Sequence, residues 1–233
     1  MRPLWFLEED ADSAYEFGRM LLRDAKLGVQ NTQELACAGR ALSNATRSLT
    51  SSDVPLPDDF PPPRLFLPEK KFTPDYFIFG GYRFVSRQFR DALAQPEAVV
   101  QYVPCEVVGG NAESRAQDYR LLRVLAIQPA VDLERSECEL EDFTNRWTGE
   151  RTKRPRSVDR YALLADLVPK TEIFRMAEER TYVLTTDALA ERVLRAGCTG
   201  MEFSDSANRQ SGMRIDRYRT ADGIGEHRVG FLD

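Results

Sequence analysis

Residues 132–142 carry the densest set of side chains in this chain that could do chemistry. Six acids lie there beside a single base: Asp132, Glu134, Glu137, Glu139, Glu141 and Asp142. Carboxylates are the ligands that hard divalent cations favour, so this acidic run could support a metal-assisted hydrolytic enzyme. It could instead bind a basic protein, because acidic surfaces steer and orient such partners. A third interpretation is a solvated acidic edge with no partner.

The spacing of the acids bears on the metal hypothesis. On a strand, residues 132 and 134 would share one face, and so would 137 and 139, but 134 and 137 would not. This pattern matches no calcium-binding loop. The sequence therefore favours the protein-binding use of these acids over a cation site, and we predict no metal ligands.

The remainder of the chain offers little catalytic chemistry. The single histidine, His227, lies in a glycine-rich stretch near the C-terminus, where it is poorly placed to act as the base for a nucleophile. No H-E-x-x-H, Walker A or G-x-G-x-x-G pattern is present. The four cysteines are scattered without a C-x-x-C pair, at Cys37, Cys105, Cys138 and Cys198. We predict no catalytic residues, no cofactor and a protein that is not an enzyme.

Two further features lie next to the acidic run, and the first of them, Trp147, joins the candidate surface. Trp147 follows the acids closely, and exposed aromatic residues are frequent anchors of protein interfaces. A basic run then follows, with five positive residues at Arg151, Lys153, Arg154, Arg156 and Arg160. We interpret it as a solvated loop that the preceding acids partly neutralise.

Composition and charge restrict the class of partner. The formal net charge is −5, whereas a nucleic-acid-binding protein usually carries a basic surplus, so we expect no direct nucleic-acid contact. The first residues lack the apolar core of a secretory signal, and no stretch approaches the roughly 20 apolar residues of a membrane span. The scattered cysteines suggest free thiols, which are typical of a reducing compartment. These three observations predict a cytoplasmic protein without membrane contact.

The strongest structural signal lies between Pro74 and Pro96. Two short runs rich in aromatic residues, 76–79 and 82–85, flank Gly80-Gly81, which predicts a β-hairpin with a tight turn. Ser86 stands where a helix N-cap belongs, and Pro96 ends the helical pattern. Phe89, Ala92 and Leu93 recur at helical spacing as the buried stripe: strand, turn, strand and helix are thus predicted within 23 residues.

The N-terminal third has weaker patterns. Residues 4–7 suggest a first strand, 13–25 an amphipathic helix with Phe17, Met20 and Leu21 on its apolar face, and 32–45 a poorer helix. Residues 50–74 hold seven of the thirteen prolines, which predicts an extended connector without regular structure. A proline-rich ligand for another protein is the alternative use of that composition.

Further strands and one helix follow the central hairpin. Strands are predicted at 99–103, 119–127, 161–168, 173–174, 182–184 and 198–203. Thr186 caps a helix whose buried stripe is Leu189, Val193 and Leu194, and Gly197 ends it. The last 30 residues are polar and predict a loose tail. The fold class is α+β, with a mixed or mostly antiparallel sheet, a few packed helices and a proline-rich connector before the core. We predict a single domain over 1–233, with an N-terminal wrapping region 1–70, a core 71–205 and a tail 206–233.

Four segments carry a resemblance when they are taken in order. They are PDYFIFGGYRFVSRQFRDAL (74–93), QYVPCEV (101–107), YRLLRVLAIQPAVDLERSE (119–137) and VPKTEIFRMAEERTYVLTTDALAERVLRAGCTGMEF (168–203). In this order and spacing they resemble the bacterial immunity-protein family of class eleven in polymorphic-toxin systems, formerly a domain of unknown function. The resemblance spans residues 74–204 and ends in the "GxxF" of Gly200 to Phe203.

This resemblance implies an α+β antitoxin used in interbacterial competition. The protein would bind a cognate secreted toxin, encoded by a neighbouring gene, and so inhibit it by protein–protein interaction. No shared catalytic residue carries over from the family. The acidic net charge predicts a basic toxin, and the acidic run with Trp147 is the predicted binding surface. The alternatives are the carboxylate- and metal-dependent hydrolase, and an adaptor protein with an ordinary cellular partner.

Overall fold

A computed structural model describes residues 4–9, 19–21, 53–56, 58, 60, 62–67, 74–79, 81–144, 151–205, 213–220 and 223–230. These residues contain sixteen strands and three helices. The sheets are antiparallel or mixed, so the predicted α+β class is confirmed. The helix predicted at 32–45 and the candidate anchor Trp147 lie outside the described residues.

The elements are numbered in chain order. The strands are β1 (Leu4–Glu9), β2 (Arg19–Leu21), β3 (Arg64–Leu67), β4 (Tyr76–Phe79), β5 (Tyr82–Val85), β6 (Val100–Pro104), β7 (Glu106–Gly109), β8 (Arg120–Val124), β9 (Ile127–Gln128), β10 (Glu137–Thr144), β11 (Arg151–Arg160), β12 (Ile173–Met176), β13 (Val183–Thr186), β14 (Met201–Asp205), β15 (Met213–Thr220) and β16 (Gly223–Gly230). The helices are α1 (Arg87–Leu93), α2 (Ala112–Ala116) and α3 (Asp187–Arg195).

Two compact units share the chain. One consists of Met1–Glu8, Ile127–Glu191 and Glu202–Asp233, and the other of Glu9–Ala126 and Arg192–Met201. Neither unit is continuous in sequence. The predicted division into a wrapping region, a core and a tail stays a prediction.

The second unit is built on the predicted hairpin. β4 and β5 pair antiparallel, and the sheet order is β4-β5-β8-β6. Gly81 adopts φ +82°, the left-handed conformation that a tight turn requires and glycine allows. The Ser86 hydroxyl accepts the Phe89 N–H at 3.1 Å, and α1 buries Phe89 together with Ala92 and Leu93. The hairpin, the cap and the helix are therefore confirmed.

Aromatic packing holds this hairpin in place. Phe77 stacks on Phe84 with ring centroids 5.2 Å apart and meets Tyr119 edge-on at 5.3 Å. The same core includes Leu65 and Leu67 of β3, both buried. Burying each such side chain stabilises the folded state by roughly 1.5–3 kcal/mol. These residues therefore contribute strongly to the stability of the hairpin.

A buried carboxylate ties the start of β4 to two other segments of the unit. Asp75 accepts the Ser86 hydroxyl at 2.6 Å through Oδ1, and the Thr199 N–H at 2.9 Å and hydroxyl at 3.2 Å through Oδ2. The Asp75 N–H also donates to the Thr199 carbonyl at 2.9 Å. One side chain thus fixes the cap of α1 and the approach of residues 199–200 to β4.

Two predictions for the N-terminal third are wrong where the structure describes them. Residues 19–21, predicted as part of a helix, form β2 and pair with β3. Residues 64–67, predicted as irregular connector, form β3, which also pairs in parallel with β7. Sheet pairing satisfies the backbone groups of both segments and overrides their weak local preferences. Leu65 and Leu67 are buried.

The first unit contains a mixed sheet of order β16-β15-β14-β1-β13-β12-β9. β1 confirms the first predicted strand and pairs antiparallel with β13. The α3 helix begins as predicted, with the Leu189 N–H directed at the Thr186 hydroxyl at 3.4 Å, and the Trp5 indole donates to Asp187 at 2.9 Å. Leu189, Val193 and Leu194 are buried, which confirms the predicted stripe.

Three further expectations are wrong. Residues 161–168 form no continuous strand, because a turn closed by the Leu167 N–H on the Leu164 carbonyl leaves only a single bridge at Leu163. The basic run is strand β11 and not a loop. The expected loose tail contains β15 and β16, which extend the sheet beyond β14 by backbone pairing that does not depend on apolar side chains.

Two smaller results complete the fold. The α2 helix, which the sequence pattern missed, begins where the Asn111 side chain accepts the Ser114 N–H at 2.8 Å. Within the described part of the chain, every helix is too short or too polar to cross a membrane.

Candidate functional site

The structure divides the acidic run into a turn and a strand. Asp132 and Glu134 lie in the turn that precedes β10. Four acids belong to β10: Glu137, Glu139, Glu141 and Asp142. The run is therefore one turn joined to one strand, and the acids do not converge on a common point.

Asp132 has a structural role in the turn. Its Oδ1 accepts the N–H groups of Glu134 at 3.1 Å and Arg135 at 3.2 Å. Its carbonyl accepts the Ser136 hydroxyl at 2.7 Å, and Ser136 Oγ in turn accepts the Ala162 N–H at 2.9 Å. An aspartate that bonds its own following backbone is typical of an Asx turn. Asp132 thus positions β10 beside the segment that follows β11.

β10 and β11 form an antiparallel two-stranded sheet, which we call the charged ribbon (137–144 and 151–160). No residue of β10 is buried, since all eight are half-buried or exposed. Side chains alternate between the two faces of a strand. Glu137, Glu139 and Glu141 therefore share one face of β10.

The register sets acids of β10 opposite bases of β11. Glu137 faces Arg160, and Arg160 Nη2 lies 2.7 Å from Glu137 Oε1. Glu141 stands opposite Arg154, and Asp142 stands opposite Lys153. Oppositely charged cross-strand neighbours stabilise a ladder modestly. The Glu137–Arg160 pair contributes about 1 kcal/mol or less, because the two side chains are 60% and 40% exposed.

The ribbon as a whole is neutral. Its two strands contain five acids, Asp159 included, and five bases. Two register irregularities, at Glu137/Cys138 and Glu139/Leu140, occur where β11 has an extra residue, Asp159 in the first case and Arg156 in the second. Both runs are evident in the sequence, but their pairing was not predicted from it. One feature of the sequence could have predicted the pairing: an acidic run and a basic run of similar length are separated by a short connection.

The opposite face of the ribbon carries apolar residues. Cys138 pairs with Val158, and Leu140 pairs with Pro155. Leu140 is 42% exposed, which makes it one of the few large apolar side chains exposed in the described part of the chain. The ribbon is therefore amphipathic, with a charged face and a partly apolar face.

The acids have no geometry for binding a metal. Successive residues on one face of a strand lie roughly 6.6 Å apart, too far for Glu137, Glu139 and Glu141 to share one cation. Across the described residues, no three histidine, cysteine, aspartate or glutamate side chains are grouped closely enough to hold a metal ion.

Burial raises the pKa of two of the described thiols. Burial raises the pKa of Cys105 to about 12. Burial also raises the pKa of Cys138 on the ribbon. The thiolate is the reactive form, so burial lowers the reactivity of Cys105 near neutral pH.

A second polar region lies in the unit built on the hairpin. Asp118, in the left-handed conformation at φ +49°, accepts Arg90 Nη2 at 2.5 Å, and Arg87 and Arg120 approach its carboxylate at 3.8 Å. An open groove of about 550 Å³ lies nearby, lined by Arg87 and Asp91 among others. Arg90 fixes the Asp118 turn by also donating to the Asp118 carbonyl.

The segments that carried the resemblance contribute many of the buried residues, and only the end of one of them, residues 132–137, belongs to the candidate surface. A Cβ at Gly200, where φ is +89°, would overlap the Tyr76 carbonyl oxygen and lie 2.7 Å from Pro74 Cβ. Phe203 is buried. The "GxxF" pattern therefore marks a close backbone approach followed by a core aromatic residue, which makes it a signature of the fold.

Comparison with known proteins extends this resemblance. No curated protein matches the chain. A family model described as an immunity protein family, Imm11, matches residues 17–208. The match begins well before residue 74, so it includes most of the N-terminal region that the resemblance left out. With more than half of its length matched, the chain belongs to the Imm11 immunity protein family.

Proposed function

We propose that this protein binds a cognate bacterial toxin and neutralises it by direct contact, without catalysis. The observation that carries the proposal is the match to the immunity family over residues 17–208. An immunity protein must hold its toxin tightly, because free toxin would act on the cell that makes it. We expect a dissociation constant in the nanomolar range, about −12 kcal/mol of binding free energy.

The acidic run and Trp147 are the proposed contact residues. Exposed glutamates at 134, 137 and 139 are available to a partner, whereas Asp132 acts through the turn it forms. A standard interface buries roughly 800 Å² on each partner. The charged ribbon, with 18 residues in its two strands, is the part of the chain that we propose for this surface.

The proposed partner is the toxin domain encoded by a neighbouring gene. The net charge of −5 favours a partner that is basic overall, since charge complementarity accelerates association. The proposed place of action is the cytoplasm of the producing cell and its siblings. No membrane or nucleic-acid contact is required of this chain.

Calorimetric titration tests the proposal. The full chain is titrated with the C-terminal domain of the secreted protein encoded beside it, inactivated by a substitution in its own active site. The expected result is one-to-one binding in the nanomolar range. An unrelated toxin domain of similar size and charge serves as the control and should release no heat. Absence of binding to a neighbour that is demonstrably a toxin would sink the proposal.

A second experiment separates binding from catalysis. Active toxin is mixed with increasing amounts of this protein, and its residual activity is measured. A stoichiometric inhibitor abolishes activity at one equivalent and leaves a proportional remainder below it. If a small fraction of one equivalent silenced all of the toxin, the protein would be acting as an enzyme.

A further inference from the structure

The β10 part of the acidic run lies beside the bases of β11 once the chain is folded. Glu137 and Arg160 form an ion pair at 2.7 Å, and Glu141 and Asp142 stand opposite Arg154 and Lys153 in the register. The five acids of the ribbon are matched by five bases. A partner that approaches the ribbon therefore meets both signs of charge at close spacing.

Several exposed charges of the ribbon stand outside the opposite-charge pairs. Glu139 faces Ser157, Arg151 faces Thr144, and Arg156 lies at a register irregularity. All three residues are exposed. The remaining acid, Asp159, lies at the other register irregularity, so two acids and two bases stand outside the matched pairs. A uniformly basic partner would meet repulsion at the two bases.

We infer that the charged ribbon recognises a toxin surface of alternating charge, with acidic groups opposite its arginines as well as basic groups opposite its glutamates. This inference rests on the proposed function and narrows the partner that function implies. Fixed pairs of both signs give specificity because a mismatched partner places like charges together. Such a surface would distinguish one toxin from another of similar net charge.

Two matched variants of the full chain test the inference. The acid-neutralised variant carries E137Q, E139Q and E141Q. The base-neutralised variant carries R154Q, R156Q and R160Q. Each removes three charges of one sign from the same ribbon and leaves a neutral polar side chain at every position. Their affinities for the inactivated neighbouring toxin are measured by calorimetry.

Both variants are expected to bind roughly tenfold or more weakly than the wild type. Titrations at about 0.15 M and 0.5 M salt separate contact effects from the altered net charge, since salt screens only the longer-range part. If only the acid-neutralised variant weakens and the base-neutralised one binds as well or better, the partner surface is uniformly basic and the inference is overturned. If both bind like the wild type, the ribbon is not the recognition surface, although the proposed function stands.

A pair exchange guards against misfolding. The double variant E137R/R160E keeps opposite charges across the ribbon and should keep the melting temperature of the wild type. Because its charge pattern is reversed at that position, it is expected to lose affinity for the toxin. Wild-type affinity in this variant would overturn the inference. A wild-type protein that fails to bind the toxin would instead overturn the proposed function itself.

Discussion

The β4–β5 hairpin and the charged ribbon are both antiparallel pairs of strands, but the first is rich in buried aromatic residues and the second in charged residues. β4 and β5 place Tyr76, Phe77 and Phe84 in a core where each is almost fully buried. β10 has no buried residue, and acids and bases face each other across the ribbon. The difference indicates which hairpin the fold depends on and which one is available to a partner. Substitutions should therefore affect stability in the first hairpin and recognition in the second.

The largest effect is expected from Phe84→Ala. Phe84 is fully buried and stacks on Phe77 at 5.2 Å, so truncation should lower the free energy of unfolding by about 3–5 kcal/mol. Phe143→Ala on the half-buried ribbon is the matched control and should cost clearly less. Denaturant unfolding measures both. If the two variants lost the same free energy of unfolding, the two strand pairs would contribute equally to stability and the comparison would be wrong.

Gly200→Ala should come next. The new Cβ would be strained at φ +89° and would overlap the Tyr76 carbonyl, for a loss of about 2–3 kcal/mol. Gly81→Ala has nearly the same φ but nothing within 4 Å, so it should cost only about 1 kcal/mol. The difference between the two melting temperatures measures the effect of the close approach of Gly200 to the Tyr76 carbonyl. A Gly81 variant as unstable as the Gly200 variant would argue against it.

Ser86→Ala should cost about 1–2 kcal/mol. The substitution removes the cap of α1 and also takes a donor from the buried Asp75 carboxylate. Asn111→Ala removes a cap from the more exposed α2, but the Ser114 hydroxyl, which also donates to Asn111 Oδ1, keeps the Asn111 carbonyl as an acceptor. We expect the first loss to be the larger in thermal unfolding. The reverse order would mean that the Asp75 network contributes little.

The Glu137–Arg160 pair should contribute least to stability. Its exposure predicts a coupling energy of about 1 kcal/mol or less in a double-mutant cycle of Glu137→Gln and Arg160→Gln. The same variants are expected to weaken toxin binding. A coupling energy well above that value would show that the ribbon is also a stability element.

Thiol labelling compares Cys105 in the native and the denatured protein and needs no substitution. Since burial raises the pKa of Cys105 from 9.0 to about 12, its thiolate fraction at pH 8 falls roughly a thousandfold. Alkylation of Cys105 should therefore be far slower in the native protein than in urea, and its rate should rise only toward high pH. Mass spectrometry of quenched samples measures this. Equal native and denatured rates would contradict the burial of this thiol.

The sequence predicts which types of residue form the candidate site, but it does not predict how they pair in space. The acids, the basic run and their neighbourhood follow directly from the sequence. Their register does not, because pairing of Glu137 with Arg160 depends on the turn that Asp132 forms and on two extra residues in β11. An acidic run seen alone suggests a negative surface, whereas the folded ribbon is neutral.

The sequence by itself determined the elements whose signals are local. The Gly81 turn, the Ser86 cap and the buried stripes of α1 and α3 follow from side-chain types at short spacing, and the structure confirms them. Only the tertiary structure decided β2, β3, β15 and β16, whose residues look helical, irregular or polar in isolation. Their strands exist because a neighbouring strand supplies backbone hydrogen-bond partners, and sequence spacing does not record which neighbour that is.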